Sequence, residues 1–203
     1  MIVQPTHNRF ESRFEDLPFG GCAPGIGVAL ASTPDPSAAA PQYLRQALAD
    51  AGAGSAIRRE EIVRERNCAP RLAGSADWHL SLSHSGTEIA AAAARNLAIG
   101  IDLERHRPRD FARLDRLLGW TASSPMAFYP RWTLAEALYK AGAGPSLGCF
   151  AAADRALRDG DEAPPQSLEL RIEQRLWHVR WWHEPAPADR FATTTCLVWS
   201  DAP

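Results

Sequence analysis

The chain has 203 residues, of which 45% are hydrophobic and 23% are charged, which is ordinary for a globular protein. This length suits one large domain or two small, tightly joined ones. The formal net charge of −2 and the isoelectric point near 6.3 argue against a general nucleic-acid binder, because such proteins need excess basic charge to neutralise phosphates. We therefore expect no nucleic-acid partner.

The cysteine positions and the hydropathy of the chain exclude further classes of protein. The cysteines are widely scattered, at Cys22, Cys68, Cys149 and Cys196. Without a Cys-x-x-Cys pair they predict neither a zinc site nor a disulfide framework. The opening residues, MIVQPTHNRFESRFEDLP, lack the apolar core of a signal peptide, and no run approaches the roughly 20 apolar residues of a membrane span. We therefore expect a reduced, cytoplasmic protein with no membrane partner.

The first half of the chain consists of short apolar runs separated by proline and glycine, after an irregular segment at 1–24. It predicts one helix at 42–51, whose apolar side chains share a face and which Gly52 ends. The run TPDPSAAAP at 33–41 predicts a loop. Predicted strands lie at 25–32, 78–82, 88–94 and 97–103, and the last two form a hairpin. The alanine run at 88–94 is equally compatible with a helix.

The second half begins with helical periodicity and ends with strands. Apolar stripes predict helices at 110–118 and 131–141; Pro130 precedes the second helix and Gly142 ends it. Three strand-like runs follow, at 167–173, 176–183 and 191–199. Helices followed by antiparallel strands predict an α+β fold.

Two carboxylates stand close together at the end of the predicted strand 97–103. Asp102 and Glu104 project from one face of that strand, because side chains alternate along it. Like charges this close repel unless a cation lies between them, and Mg²⁺ binds carboxylate and phosphate oxygens together with water. A strand end that runs into solvent also carries acids. The pair alone therefore predicts either a magnesium site or a solvated strand end.

The predicted helix 131–141 carries a second pair of charges. Glu136 and Lys140 lie four residues apart and share a helix face, and Lys140 is the only lysine in the chain. An exposed pair of this kind stabilises a helix by about 0.2–0.5 kcal/mol. The alternative is functional, with Glu136 as a metal ligand or base and Lys140 as a phosphate contact.

A third candidate is the Ser83-His84-Ser85 run, where a predicted strand meets a turn. Hydroxyls, an imidazole and backbone amides at such a junction can bind an oxyanion. A turn with side-chain caps is the other interpretation. A Ser-His nucleophile pair is disfavoured, because adjacent residues of a strand face opposite ways.

Taken in order, SLSHSG, GIDLE and WTLAEALYKA resemble three motifs of the 4′-phosphopantetheinyl transferases. Their spacing resembles that of the larger, surfactin-synthetase-activating type, and the likeness runs from about residue 67 to residue 150. The resemblance implies two similar α+β halves related by pseudo-twofold symmetry, here 1–98 and 99–203. It also implies a monomer with coenzyme A in the cleft between the halves.

This resemblance implies transfer of the phosphopantetheine arm of coenzyme A to a serine of an acyl or peptidyl carrier protein. Asp102, Glu104 and Glu136 would hold Mg²⁺, which neutralises the diphosphate. Glu136, or a metal-bound water near it, would take the proton from the carrier serine. Lys140 would contact the diphosphate as it breaks.

The same resemblance assigns the two implied partners, coenzyme A and the carrier protein, to neighbouring surfaces. Ser83 and His84 would hold the 3′-phosphate of coenzyme A. Carrier proteins are acidic around the modified serine, so a basic stretch beside an apolar patch would suit them. The basic residues are Arg105, His106, Arg107, Arg109 and Arg113, and the apolar ones are Phe111, Leu114, Leu117, Leu118 and Trp120. An ordinary amphipathic helix with solvated arginines is the alternative.

Two departures from the family pattern leave other functions open. The family usually has lysine where this chain has Ala69 and Ala135, so positive charge near the phosphates is lost. A catalytically weakened relative, which binds coenzyme A or a carrier protein without efficient transfer, is the second hypothesis. An α+β interaction protein with no ligand is the third.

Overall fold

The computed structural model describes residues 25–54, 57–58, 61–65, 68–120, 124–158, 165–185 and 191–201. The predictions for residues 1–24 lie outside this part of the chain. The described helices are α1 (Pro36–Asp50), α2 (Phe111–Leu118), α3 (Pro125–Lys140) and α4 (Ser146–Leu157). The described strands are β1 (Ile26–Ser32), β2 (Ile62–Val63), β3 (Arg71–Leu72), β4 (Trp78–Ser85), β5 (Glu88–Arg95), β6 (Leu97–Arg105), β7 (Ser167–Ile172), β8 (Arg175–Glu184) and β9 (Thr193–Asp201). The fold is α+β, as the sequence predicts.

The first sheet has the antiparallel order β1-β5-β4, and α1 packs across it. The alanine run forms the central strand β5, which settles its ambiguity in favour of a strand. Leu44 and Leu48 of α1 are fully buried against this sheet, next to Leu80 and Ala91. Small side chains on the central strand therefore let the helix approach closely.

The second sheet has the antiparallel order β6-β9-β8-β7, and α3 contacts β6 and β9. Leu134 and Leu138 of α3 are fully buried in a core that also contains Trp177 and Val198. Helix α4 packs beside α3 and encloses the same core. The two sheets meet where β4 contacts β6, each of which is an edge strand of its own sheet.

Two glycines bring helix and strand unusually close. A Cβ at Gly100 of β6 would lie 1.9 Å from the carbonyl oxygen of Ala137, and one at Gly27 of β1 would lie 2.0 Å from that of Ala47. Only glycine permits this approach, because any side chain would collide with helix backbone. Gly100 therefore allows the end of α3 to contact the strand that carries Asp102.

Both long helices begin earlier than the sequence indicates. Helix α1 starts at Pro36, where the Asp35 carboxylate accepts from the amide of Ala38, so the predicted loop at 33–41 is wrong over its second part. Proline suits a first turn, whose amides have no partner inside the helix. Pro41 lies within α1 and cannot bond the Ser37 carbonyl, which accepts from Arg64 Nη1 instead.

Helix α3 likewise starts at Pro125, where Ser124 Oγ accepts from the amide of Ala127. Pro130 therefore lies inside the helix instead of preceding it, which corrects the predicted start at 131. Helix α4 was not predicted, and β4 continues to Ser85, so Ser83-His84-Ser85 is strand and not turn. No helix within the described ranges is long and apolar enough to cross a membrane.

Candidate functional site

Strand β6 and helix α3 bring the predicted charged residues together. Asp102 is 4% exposed, so it is not a solvated strand end. Lys140 Nζ donates to Asp102 Oδ1 at 2.6 Å and to the Ile101 carbonyl at 3.2 Å. The Lys140 side chain therefore reaches across to β6. Its role is not limited to a surface ion pair with Glu136.

The carboxylates of the site repel one another. Burial is the main cause that raises the pKa of Glu136, and the charges of Asp102 and Glu104 raise it further, while Lys140 lowers it. Burial also raises the pKa of Glu104, with Asp102 adding to the effect. The three acids therefore lie within electrostatic reach of one another, with one ammonium among them.

Basic residues near Glu104 partly offset the negative charge of the three acids. Arg109 and Arg107, both exposed, lower the pKa of Glu104. Hydrogen bonding from Ser85 lowers it as well, and burial still outweighs these effects. Positive charge thus lies next to the acids, where a polyanionic substrate would need it.

The donor chemistry of this cluster fits a hard divalent cation such as Mg²⁺. Its side chains offer carboxylate oxygens, and Asp102 Oδ2 is buried without a hydrogen-bond partner. Within the described residues, however, no group of three or more His, Cys, Asp or Glu side chains has the arrangement of a preformed metal cage. Lys140 holds the other oxygen of Asp102 and supplies the positive charge at this point.

Strand β4 supplies hydroxyls to the same acids. Ser83 Oγ donates to Asp102 Oδ1 at 2.8 Å, and Ser85 Oγ donates to Glu104 Oε2 at 2.9 Å. His84 lies on the opposite face of the strand and is exposed. Ser83 and His84, which the resemblance joins in one phosphate-binding role, therefore point to different sides.

The sequence indicates Ser85 only as part of a candidate oxyanion site, without its bond to Glu104, and Ser81 was not predicted to take part. Ser81 Oγ accepts from the amide of Ile101 at 2.9 Å. The signal was available as a serine at every second position of SLSHS, which places three hydroxyls on one strand face. The sequence does not reveal that β6 lies opposite this face of β4.

The expected partner surface is only partly exposed. Arg105 lies over the Phe191 ring, with 5.4 Å from its guanidinium carbon to the ring centroid, and His106 stacks on Tyr129. Three basic side chains remain exposed: Arg107, Arg109 and Arg113. The apolar stripe of α2 packs inward against Trp120 and Phe128, apart from Leu117, which is 72% exposed.

The two alanines that depart from the family pattern have different surroundings. Ala135 is fully buried in the core of the second sheet, together with Cys149 of α4. Ala69 is exposed. Position 135 therefore contributes packing in this chain and provides no cation.

Comparison with known proteins adds no identification. No protein-family model matches the chain, and no curated protein matches it.

Proposed function

We propose that the chain is a Mg²⁺-dependent 4′-phosphopantetheinyl transferase, which moves the arm of coenzyme A to a serine of an acyl or peptidyl carrier protein. The observation that carries this proposal is the cluster formed by Asp102, Glu104, Glu136 and Lys140. These residues come from two separate motifs of the resemblance, and β6 and α3 bring them into one site.

The topology supports two halves related by pseudo-twofold symmetry. Apart from the short β2 and β3, one half runs β1-α1-β4-β5 with strand order β1-β5-β4. Apart from α2, α4 and β7, the other half runs β6-α3-β8-β9 with strand order β6-β9-β8. In each half the helix closes over a strand glycine, Gly27 or Gly100. The same element order and the same close contact recur, as a duplicated unit would require.

The helices themselves repeat in sequence. ALADAGAG at 47–54 and ALYKAGAG at 137–144 end α1 and α3 in the same way, with Gly52 and Gly142 at φ of +89° and +76°. Each helix also starts at a proline and contains a second one. The charged site belongs to the second copy alone, since the first copy has Asp50 where the second has Lys140.

The chain's own residues fit the steps of this reaction. A bound Mg²⁺ would neutralise the diphosphate and the charge on the departing 3′,5′-ADP. Asp102, Glu104 and Glu136 would hold it, and Lys140 would move from Asp102 to the diphosphate. The raised pKa of Glu136 suits a base that accepts the proton of the carrier serine as its oxygen bonds to phosphorus.

The carrier and coenzyme A would occupy neighbouring surfaces. The exposed arginines Arg107, Arg109 and Arg113 suit the acidic surface of a carrier protein. His84 is exposed and free to reach the 3′-phosphate, whereas the Ser83 hydroxyl is held by Asp102. In this proposal His84 makes the larger contribution to phosphate binding.

A mass-shift assay tests the proposal. Incubation with coenzyme A, Mg²⁺ and an apo carrier protein should add the mass of one phosphopantetheine to the carrier. Glu136→Gln should abolish the gain, whereas Glu169→Gln, at an exposed glutamate of β7, should leave it intact. No gain with any of several carriers, or near-normal turnover by Glu136→Gln, would contradict the assignment.

The second candidate is a relative that binds coenzyme A or a carrier protein without efficient transfer. Burial of Ala135 favours it, because no cation can take the place of the missing lysine there. Calorimetry distinguishes the two candidates, since binding without a mass gain would support this one. An interaction protein without ligands predicts neither binding nor a mass gain.

A further inference from the structure

At the junction between the two sheets, serine side chains of β4 bond strand β6, beside an apolar cluster that both sheets share. Strand β6 is an edge of its sheet, so amides on its outer side have no strand partner. The amide of Ile101 donates to Ser81 Oγ at 2.9 Å, and that of Arg105 donates to Ser85 Oγ at 3.2 Å. The serines thus take the place of a backbone ladder between β4 and β6.

Ser85 and the intervening Ser83 bond the acids of the site. Ser83 and Lys140 both bond Oδ1 of Asp102, which leaves Oδ2 without a hydrogen-bond partner. Ser85 bonds Oε2 of Glu104 while accepting from a β6 amide, so its hydroxyl is fixed from both sides. The serine side chains are 9% exposed or less, which leaves the hydroxyls little freedom to turn to water.

We propose that Ser83 and Ser85 are positioning residues that orient Asp102 and Glu104 toward a divalent cation, while Ser81 serves the sheet junction alone. This inference rests on the proposed function and deepens it. Repulsion among the acids would otherwise turn Glu104, which is only half-buried, toward solvent. A hydroxyl bonded to one carboxylate oxygen fixes the carboxylate's rotation, as the outer hydrogen bonds of metal ligands do.

Ser81 offers a matched control for the two positioning residues. Ser81→Ala and Ser85→Ala each remove one bond to a β6 amide, but only Ser85→Ala also removes a bond to a carboxylate. Ser83→Ala removes a bond to a carboxylate alone. The probe is Mn²⁺ by itself, followed by electron paramagnetic resonance or calorimetry, so that coenzyme A and turnover play no part.

We expect Ser83→Ala and Ser85→Ala to weaken Mn²⁺ binding by roughly 10-fold or more, as loss of outer hydrogen bonds to metal ligands does. Ser81→Ala should bind as the wild type does while its melting temperature falls. Ser85→Thr keeps the hydroxyl and should restore binding. In a Glu104→Gln background, Ser85→Ala should cause no further loss.

Different results would contradict the proposed function and the proposed roles of the serines. If the wild type binds no Mn²⁺ at millimolar concentration, the proposed metal-dependent function fails. If the wild type binds and Ser85→Ala matches Ser81→Ala, the inference alone is overturned. If Ser85→Ala fails to fold, Mn²⁺ binding by Ser83→Ala and by Ser85→Thr tests the inference instead. Wild-type Mn²⁺ affinity in Ser83→Ala would contradict the role of Ser83.

Discussion

Lys140 and Asp102 are joined by a 2.6 Å hydrogen bond although 38 positions separate them in the chain. The aspartate is almost completely buried, and the lysine side chain is 27% exposed. The ammonium therefore supplies a positive charge to a carboxylate that has Glu104 and Glu136 as neighbours. A divalent cation at this site would compete with Lys140 for Asp102.

Replacement of Lys140 by methionine should reveal this competition. Lys140→Met leaves a buried carboxylate without its cation and should lower stability by about 1–3 kcal/mol in the absence of metal. Mn²⁺ should then raise the melting temperature more than it does in the wild type, because the added cation replaces the lost charge. Tyr139→Met, at the exposed neighbouring position, is the control for both measurements. An unchanged response to Mn²⁺ would rule out competition.

The close approach of α3 to β6 should depend on Gly100. Gly100→Ala places a methyl group 1.9 Å from the Ala137 carbonyl oxygen, and we expect a loss at or above the upper end of the about 1–3 kcal/mol typical of overpacking. The control is Gly148→Ala in α4, where the nearest atom would be 3.6 Å away. That change should be neutral or gain up to about 1 kcal/mol from helix propensity. Denaturant unfolding measures both.

A buried ion pair fastens α3 to α4. Arg131 is 2% exposed; it donates to the carbonyls of Ala127 and Leu157 and lies 3.6 Å from Asp154. Arg131→Met should cost about 3–5 kcal/mol, because it removes the buried charge opposite Asp154 and leaves the carbonyls of Ala127 and Leu157 without their donor. Arg158→Met removes an exposed partner of Asp154 and should cost at most about 1 kcal/mol.

The double variant Arg131→Met, Asp154→Leu separates charge from packing. It should recover part of the stability lost in Arg131→Met, since no largely buried carboxylate remains beside the missing guanidinium. Thermal unfolding of the wild type, Arg131→Met, Asp154→Leu and the double variant completes the cycle. Equal loss in the single and double variants would assign the effect to packing and to the lost carbonyl bonds.

Two histidines should make stability sensitive to acid. His106 and His183 both bond the Thr194 hydroxyl, and burial lowers the pKa of both; that of His106 falls from 6.5 to about 4. The unfolded chain therefore binds more protons between pH 6.5 and about 4, so stability falls as the pH drops through this window.

Melting temperature against pH checks this expectation. His106→Gln should flatten the decline between pH 6.5 and about 4, because the group that gains a proton on unfolding is gone. His79→Gln, at an exposed position of β4, should leave the slope as it is. A slope equal to that of the wild type in His106→Gln would assign the acid sensitivity to other groups.

Much of the fold could be read from local patterns. The strands at 25–32, 88–94 and 97–103 follow from apolar runs between breakers, and the helix face of Glu136 and Lys140 follows from four-residue spacing. The helix starts could not be read in this way, because Pro41 and Pro130 resemble helix breakers. Both helices tolerate an internal proline, and in α1 an arginine outside the helix bonds the carbonyl left without an amide.

The sequence by itself determined which charged and hydroxyl side chains share a strand or helix face, because the periods of these elements are local properties. Only the tertiary structure decided what each face meets. Gly100 brings α3 onto β6, so Lys140 bonds Asp102. Because the edge strands β4 and β6 lie side by side, Ser83 bonds Asp102 and Ser85 bonds Glu104. These partners are distant in the chain, and no local pattern encodes which edge strand will lie opposite another.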